Sequence, residues 1–368
     1  MSRAHQTCDT YRMRLIRRGD RGESVLDVQG RLVRLGHAIT PDERSGVFGP
    51  STEDAVRAFQ QARGVLVDGI VGPDTWLELV DASWRLGDRT LYLRAPYFTG
   101  DDVQDLQDRL GTFGFDLGRS DGIFGPRTDR ALREFQWNYG LPRDGVAGEQ
   151  TVGALRGLPA IAGTMPVGMV RERERMRTRS QSLAGMRVVL DPGHGGGDPG
   201  NIGPSGARED ELALALASRV EAVLALAGAH VFLTRTGTGP TDSVRAALAN
   251  DLDAEVYIAL HFGGGEPSAR GAAAFYFGHE RFRSNEGARL ADSLLESVCA
   301  LGFVDARSHA KTFPVLRETR MAAVVLEAGY ITNEDEERLL SDPTFRGTLA
   351  EAIGDGLRRF AFDPIPAV

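Results

Sequence analysis

Apolar residues in the first half of the chain recur at helical spacing in short runs. Val25, Val28, Leu32 and Leu35 lie three or four apart, which places them on one face of a helix, and Gly36 follows as a C-terminal stop. Ala55, Val56 and Phe59 predict a second helix from Thr52 to Ala62, Asp68-Gly69 a turn, and Pro73-Asp74-Thr75-Trp76 the start of a third helix. The second half has another rhythm. Runs at Met186–Leu190, His230–Thr234, Val256–Leu260, Ala272–Phe277 and Ala322–Leu326 read as strands. Glu211–Ala227, Ser243–Asn250, Asn285–Leu301 and Phe345–Phe360 read as helices, the first with Leu212, Leu216, Val220 and Val223 on its apolar face. This alternation predicts an α/β domain with a mostly parallel or mixed sheet covered by helices.

The first half repeats itself. Val47-Phe48-Gly49-Pro50-Ser51-Thr52 recurs as Ile123-Phe124-Gly125-Pro126-Arg127-Thr128, and Ala55-Val56-Arg57-Ala58-Phe59-Gln60 as Ala131-Leu132-Arg133-Glu134-Phe135-Gln136, both offset by 76. Upstream, Val28-Gln29-Gly30-Arg31-Leu32 recurs as Leu106-Gln107-Asp108-Arg109-Leu110 at an offset of 78. Matches in fixed order establish a duplication, so the pattern predicts two small three-helix modules, at 13–86 and 96–158. Pro159–Pro166 and the charge run Arg171–Arg179 predict a linker over 159–185, followed by the α/β domain at 186–362.

Composition narrows the function classes. A net charge of -8 argues against a nucleic-acid partner, and no apolar run reaches membrane-spanning length. Cys8 and Cys299 are the only cysteines, which leaves no disulfide framework and no cysteine-based zinc site. The first ten residues lack the apolar core of a secretory signal. The expectation is a cytoplasmic protein, the alternative a cell-wall location after non-classical release.

The candidate chemistry lies at strand ends. Asp191-Pro192-Gly193-His194-Gly195-Gly196-Gly197-Asp198-Pro199-Gly200 follows the first strand, and His194 stands out in that bare loop. His261 and Glu327 close two further apolar runs, each followed within two residues by glycine, and Glu209 lies just before a helix. If these strands share a sheet, their ends converge on one cleft. Two histidines and a glutamate are a ligand set for catalytic zinc, so His194, Glu209 and His261 are the candidate ligands of one Zn²⁺ per chain. Glu327 is the candidate proton carrier. Its alternative is an ion pair to Arg317 or Arg320. The histidines His5, His37, His230, His279 and His309 have no partner spacing that suggests ligation, and His309 is expected in an exposed loop.

Two resemblances attach to these residues. Leu106, Gln107, Leu110, Gly114, Asp121, Gly122, Phe124, Gly125, Thr128, Ala131, Phe135, Gln136, Asp144, Gly145 and Gly148 resemble the peptidoglycan-binding module of many bacterial cell-wall hydrolases. The first copy departs at Arg44-Ser45-Gly46, where the usual Asp is absent. The segment from about Met186 to Phe360 resembles zinc-dependent N-acetylmuramoyl-L-alanine amidases, on Asp191–Gly196, Asp198–Gly200, Gly203, Gly206, Glu209, Leu233-Thr234-Arg235, Arg245, Ala249-Asn250, Leu260-His261 and Val325–Asn333. The resemblance implies cleavage of the amide between muramic acid and the stem peptide, with His194, Glu209 and His261 holding Zn²⁺ and Glu327 as general acid/base. Peptidoglycan or muropeptides would be the partner. Ala259 and Gly263 stand where that family has Ser and Asn, and Ala322 where proline is common, so weaker hydrogen bonding around His261 is expected. The domain order is also similar to actinobacterial amidase-like regulators of wall synthesis. A weakly active or inactive cytoplasmic regulator that binds precursors or a protein partner is therefore the alternative, with a lysin released at cell lysis and another zinc peptidase behind it.

Overall fold

The computed structural model describes residues 15–158, 182–279 and 282–362, which fall into two compact units. The charge run and most of the expected linker lie outside the described residues. The first unit holds α1 (Glu23–Arg34), α2 (Pro50–Arg63), α3 (Pro73–Asp81), α4 (Asp101–Thr112), α5 (Pro126–Asn138) and α6 (Glu149–Gly157). Two similar cores result, one around Val28, Leu32, Phe48, Val56, Phe59 and Leu79, the other around Leu106, Leu110, Phe124, Leu132, Phe135 and Leu155.

Buried glutamines explain the polar half of the repeated pattern. Gln136 Nε2 donates to Asp144 Oδ1, the Val146 carbonyl and Thr151 Oγ1, and Gln136 Oε1 accepts from Gly145 N. Gln60 makes the same set with Asp68, Ile70, Thr75 and Gly69. A buried amide needs its partners, and here they close the loop onto the helix. The first copy's missing Asp has a substitute. Where Asp121 Oδ1 receives Gln107 Nε2 and Ile123 N, the first module offers Gln29 Nε2 the Glu43 carbonyl at 2.9 Å, and the buried Glu43 carboxylate accepts instead from Ser51 N at 3.0 Å, Thr52 N at 2.8 Å and Thr52 Oγ1 at 2.8 Å. It thereby caps α2. Burial opposes its ionisation, but these donors outweigh it and hold the Glu43 carboxyl down at about 2.

The second unit contains β1 (Arg187–Pro192), α7 (Glu209–Leu226), β2 (His230–Leu233), α8 (Asp242–Asp251), β3 (Val256–Gly263), β4 (Ala272–His279), β5 (Phe282–Arg283), α9 (Asn285–Cys299), β6 (Asp305–Lys311), α10 (Pro314–Glu318), β7 (Ala322–Tyr330), α11 (Glu334–Ser341) and α12 (Pro343–Phe362). Its sheet runs β2-β1-β3-β7-β4-β5, with β6 on β4. The first four of these strands are parallel, and β4 runs antiparallel to β7, so the sheet is mixed. Side chains alternate between two buried faces, as a sheet covered on both sides requires. Val188, Leu190, Ile258, Leu260, Val324 and Leu326 pack under α7, α9 and α12, and Val189, Tyr257, Ala259, Ala323 and Val325 under α8 and α10.

Several boundaries differ from the sequence pattern. β1, β3 and β7 run past their apolar stretches because backbone pairing continues: Pro192 pairs with Leu260, and His261 with Glu327. His261 and Glu327 therefore sit inside strands, and Glu209 is the first residue of α7 rather than a residue before it. β6, α10 and α11 carry too few apolar residues to show in the pattern. His309 is exposed as expected, but in β6, where it stacks on Phe275.

Candidate metal centre

Parallel pairing sets the site. His261 and Glu327 are direct cross-strand partners, one step beyond Ala259 and Val325 on the same face. The loop after β1 brings in His194, and the N-terminus of α7 brings in Glu209. His194 Nε2 lies 3.1 Å and His261 Nδ1 3.0 Å from the same oxygen, Glu209 Oε1. Ligand atoms of these three residues all lie within 4.8 Å of one another.

Close approach requires bare backbone at two positions. A Cβ on Gly193 would lie 2.3 Å from the His261 ring, and one on Gly200 would lie 2.6 Å from both Glu209 Oε2 and the His194 ring. Gly200 also has φ +65, in the left-handed region that glycine enters freely.

Surrounding donors hold each group in place. Asp198 Oδ2 sits 2.8 Å from His194 Nδ1, which turns Nε2 toward the cluster. Glu209 is 1% exposed and its carboxylate is fully engaged. Oε2 accepts from Asn201 N at 2.8 Å and Nδ2 at 2.9 Å, and Oε1 from Phe262 N at 3.0 Å. Asn201 Nδ2 also donates to the Phe262 carbonyl beside His261. The small residues after His261 are matched to their neighbours, since a Cβ on Gly263 would lie 3.0 Å from the Tyr330 ring and one on Gly264 would strike Asn201.

The His194 loop rests on two buried arginines. Arg235 donates to the carbonyls of Pro192, Gly193, Gly237 and Asp210, and Arg245 to those of Pro192, His194 and Pro240. Asp191 supplies the compensating charge, accepting from Arg245, Thr234 Oγ1 and the Tyr257 hydroxyl. Burial and the Asp191 charge raise the Tyr257 hydroxyl well above its ordinary range, which keeps it a donor.

Electrostatics follow from the same contacts. Burial pushes His194 down, but its bonds to Glu209 and Asp198 outweigh that and raise it to about 9 in the metal-free cluster. Burial likewise opposes ionisation of Glu209, yet the two histidines hold it well below the usual carboxylate range. Glu327 is raised, chiefly by burial, with His261 and Lys311 pulling the other way. Lys311 is the only lysine in the sequence. Among the described residues, neither Arg317 nor Arg320 forms an ion pair with Glu327, and Arg317 lies instead 3.9 Å from Glu318.

The structure thus brings His194, Glu209, His261 and Glu327 to one place. Sequence reasoning missed the supporting roles of Asp198, Asn201, Arg235, Arg245 and Tyr257. Only Asp198, four residues from His194 in a glycine loop, left a local signal.

Comparisons with known proteins give the family of each part of the chain. Residues 188–359 match the family model described as N-acetylmuramoyl-L-alanine amidase. Residues 21–79 and 99–155 each match the peptidoglycan binding domain model. The chain is 40% identical over 362 residues to N-acetylmuramoyl-L-alanine amidase CwlM of Mycobacterium tuberculosis, covering 94% of this chain and 89% of that one. Among solved structures, the CwlV amidase catalytic domain of Bacillus (Paenibacillus) polymyxa var. colistinus is 31% identical, covers 47% of this chain and 96% of that one, and gives a TM-score of 0.43. Amidase AmiC2 of Nostoc punctiforme is 27% identical with the same coverages and a TM-score of 0.44.

Proposed function

The chain belongs to the N-acetylmuramoyl-L-alanine amidase family, and from that premise we propose that its second unit binds one Zn²⁺ through His194, Glu209 and His261 to hydrolyse the amide between muramic acid and the stem peptide. The observation that carries the reading is the convergence of these three side chains within 4.8 Å around a buried carboxylate. Two imidazoles and a carboxylate fit zinc, and they leave a coordination position open. When bound, zinc supplies a Lewis acid that polarises the scissile carbonyl and lowers the pKa of water to about 7.

The chain's own groups do the rest. Asp198 keeps the His194 ring oriented, and Asn201 with Phe262 N fixes the Glu209 carboxylate. Glu327, in register with His261, takes the proton of the attacking water and hands it to the leaving amine. Its raised pKa suits a group that must hold a proton during the reaction. The two modules of the first unit keep the enzyme on its polymer, so that cleavage draws on a locally high substrate concentration.

Retention of Glu327 beside His261 favours turnover over a purely regulatory role, since binding alone needs no proton carrier. The test is digestion of purified peptidoglycan by the zinc-loaded full chain at neutral pH, with products identified by mass. Release of free stem peptide is expected. Glu327→Gln should lower that release by about 10²–10⁴-fold while zinc content stays at one per chain. No bound zinc, or no release with zinc supplied, overturns the proposal.

A further inference from the structure

We propose that the second module binds a sugar of the peptidoglycan glycan on the ring of Trp137, beside Arg143. The inference rests on the peptidoglycan-binding reading of the modules and adds to it a place and a chemistry. Trp137, at the end of α5, is 70% exposed, and Tyr139 is 44% exposed. Indole left this open forfeits the stabilisation of burial, while Tyr139 turns its ring to Phe135, with centroids 4.6 Å apart.

The duplication supplies an internal control. At the offset of 76, Trp137 corresponds to Gln61 and Tyr139 to Arg63. Arg63 donates to Glu78 at 3.0 Å and to both carboxylate oxygens of Asp101, the first residue of α4, at 2.8 and 3.2 Å. In the first module this face therefore receives the second module through charged groups. In the second module the positions of Arg63 and Glu78 are held by Tyr139 and Ala154, which cannot make that ionic joint. That ion pairing has no counterpart at the matching positions of the second module, so the end of α5 there suits a different occupant.

A pyranose fits that surface. Its C–H face packs against an aromatic ring while its hydroxyls seek donors and acceptors at the rim. Arg143 supplies donors there: its guanidinium carbon lies 5.9 Å from the Trp137 ring centroid. The platform is also held rigid. The Arg143 carbonyl accepts from Arg133 Nη1 at 3.0 Å, and Gln136, the neighbour of Trp137, ties the helix end to Asp144 and Val146. Little ordering remains to be done on binding.

The experiment uses the full chain with Glu327→Gln, so that the polymer stays intact, sedimented with purified peptidoglycan sacculi. Adding Trp137→Ala is expected to weaken binding about tenfold, as loss of a central aromatic contact does. Trp137→Phe should keep most of the affinity, and Gln61→Ala, the matching position in the first module, should leave it unchanged. Unaltered melting of Trp137→Ala would show that folding is not the cause. A soluble muramyl disaccharide should shift tryptophan emission to the blue in the parent but not in Trp137→Phe. If the parent binds sacculi and Trp137→Ala binds equally well, the site assignment is wrong while the module reading stands. If the parent does not bind, both fail.

Discussion

Asp198→Ala separates two effects of one hydrogen bond. Asp198 orients His194 for a metal, yet the same bond stabilises the proton that a metal must displace. With His194 raised to about 9 in the metal-free site, competition from that proton at pH 7 would lower apparent zinc affinity about 100-fold. Loss of an orienting carboxylate costs about 10–100-fold in affinity, and here the lower end is expected, because the Asp198 side chain is 63% exposed. Removing Asp198 also lowers the His194 pKa, which returns part of the proton penalty at neutral pH. Above about pH 9 there is no penalty left to return. The affinity deficit of Asp198→Ala should therefore be small near pH 6 and widen to about tenfold by pH 9. Zinc titration against a competing chelator at each pH measures it. A deficit that is constant or narrows as pH rises would refute the reasoning.

Three further substitutions test the supporting structure. Arg245→Met leaves Asp191 with only Thr234 and Tyr257 in a buried setting, and should destabilise the second unit by about 3–5 kcal/mol in chemical denaturation; a loss under about 1 kcal/mol would show that the arginine is not needed to balance that charge. Gly263→Asn, which restores the family residue, should cost about 1–3 kcal/mol and gain no activity, because its Cβ meets the Tyr330 ring at 3.0 Å. An equally stable and faster variant would contradict this. Glu43 has a depressed pKa, so its contribution is present above the ordinary 4.5 and disappears as pH falls through about 2. Glu43→Gln should thus lower the melting stability of the first unit by about 0.5–2 kcal/mol at pH 7 and match wild type near pH 2, as thermal melts at the two pH values would record.

Three residues of the candidate site, His194, His261 and Glu327, were legible because each sits where an apolar run breaks into glycine, and Glu209 because it stands at the start of a helix. The duplication was legible because its turns and cores repeat at fixed offsets. The supporting groups were hidden for a physical reason. Arg235, Arg245 and Asn201 act through backbone carbonyls and carboxylates that are distant in sequence, and a carbonyl has no identity in a one-letter code. Glu43 was hidden likewise, since its carbonyl takes the aspartate's place for Gln29 while its carboxylate reaches the start of α2 from a distant position in the loop.

By itself, then, the sequence determined the two periodicities, the repeat and the residues able to hold a metal, because these are local properties of side-chain type and spacing. Only the tertiary structure decided that His261 and Glu327 face each other. That depends on the register between β3 and β7, and a slip of one residue would turn either side chain to the opposite face of the sheet.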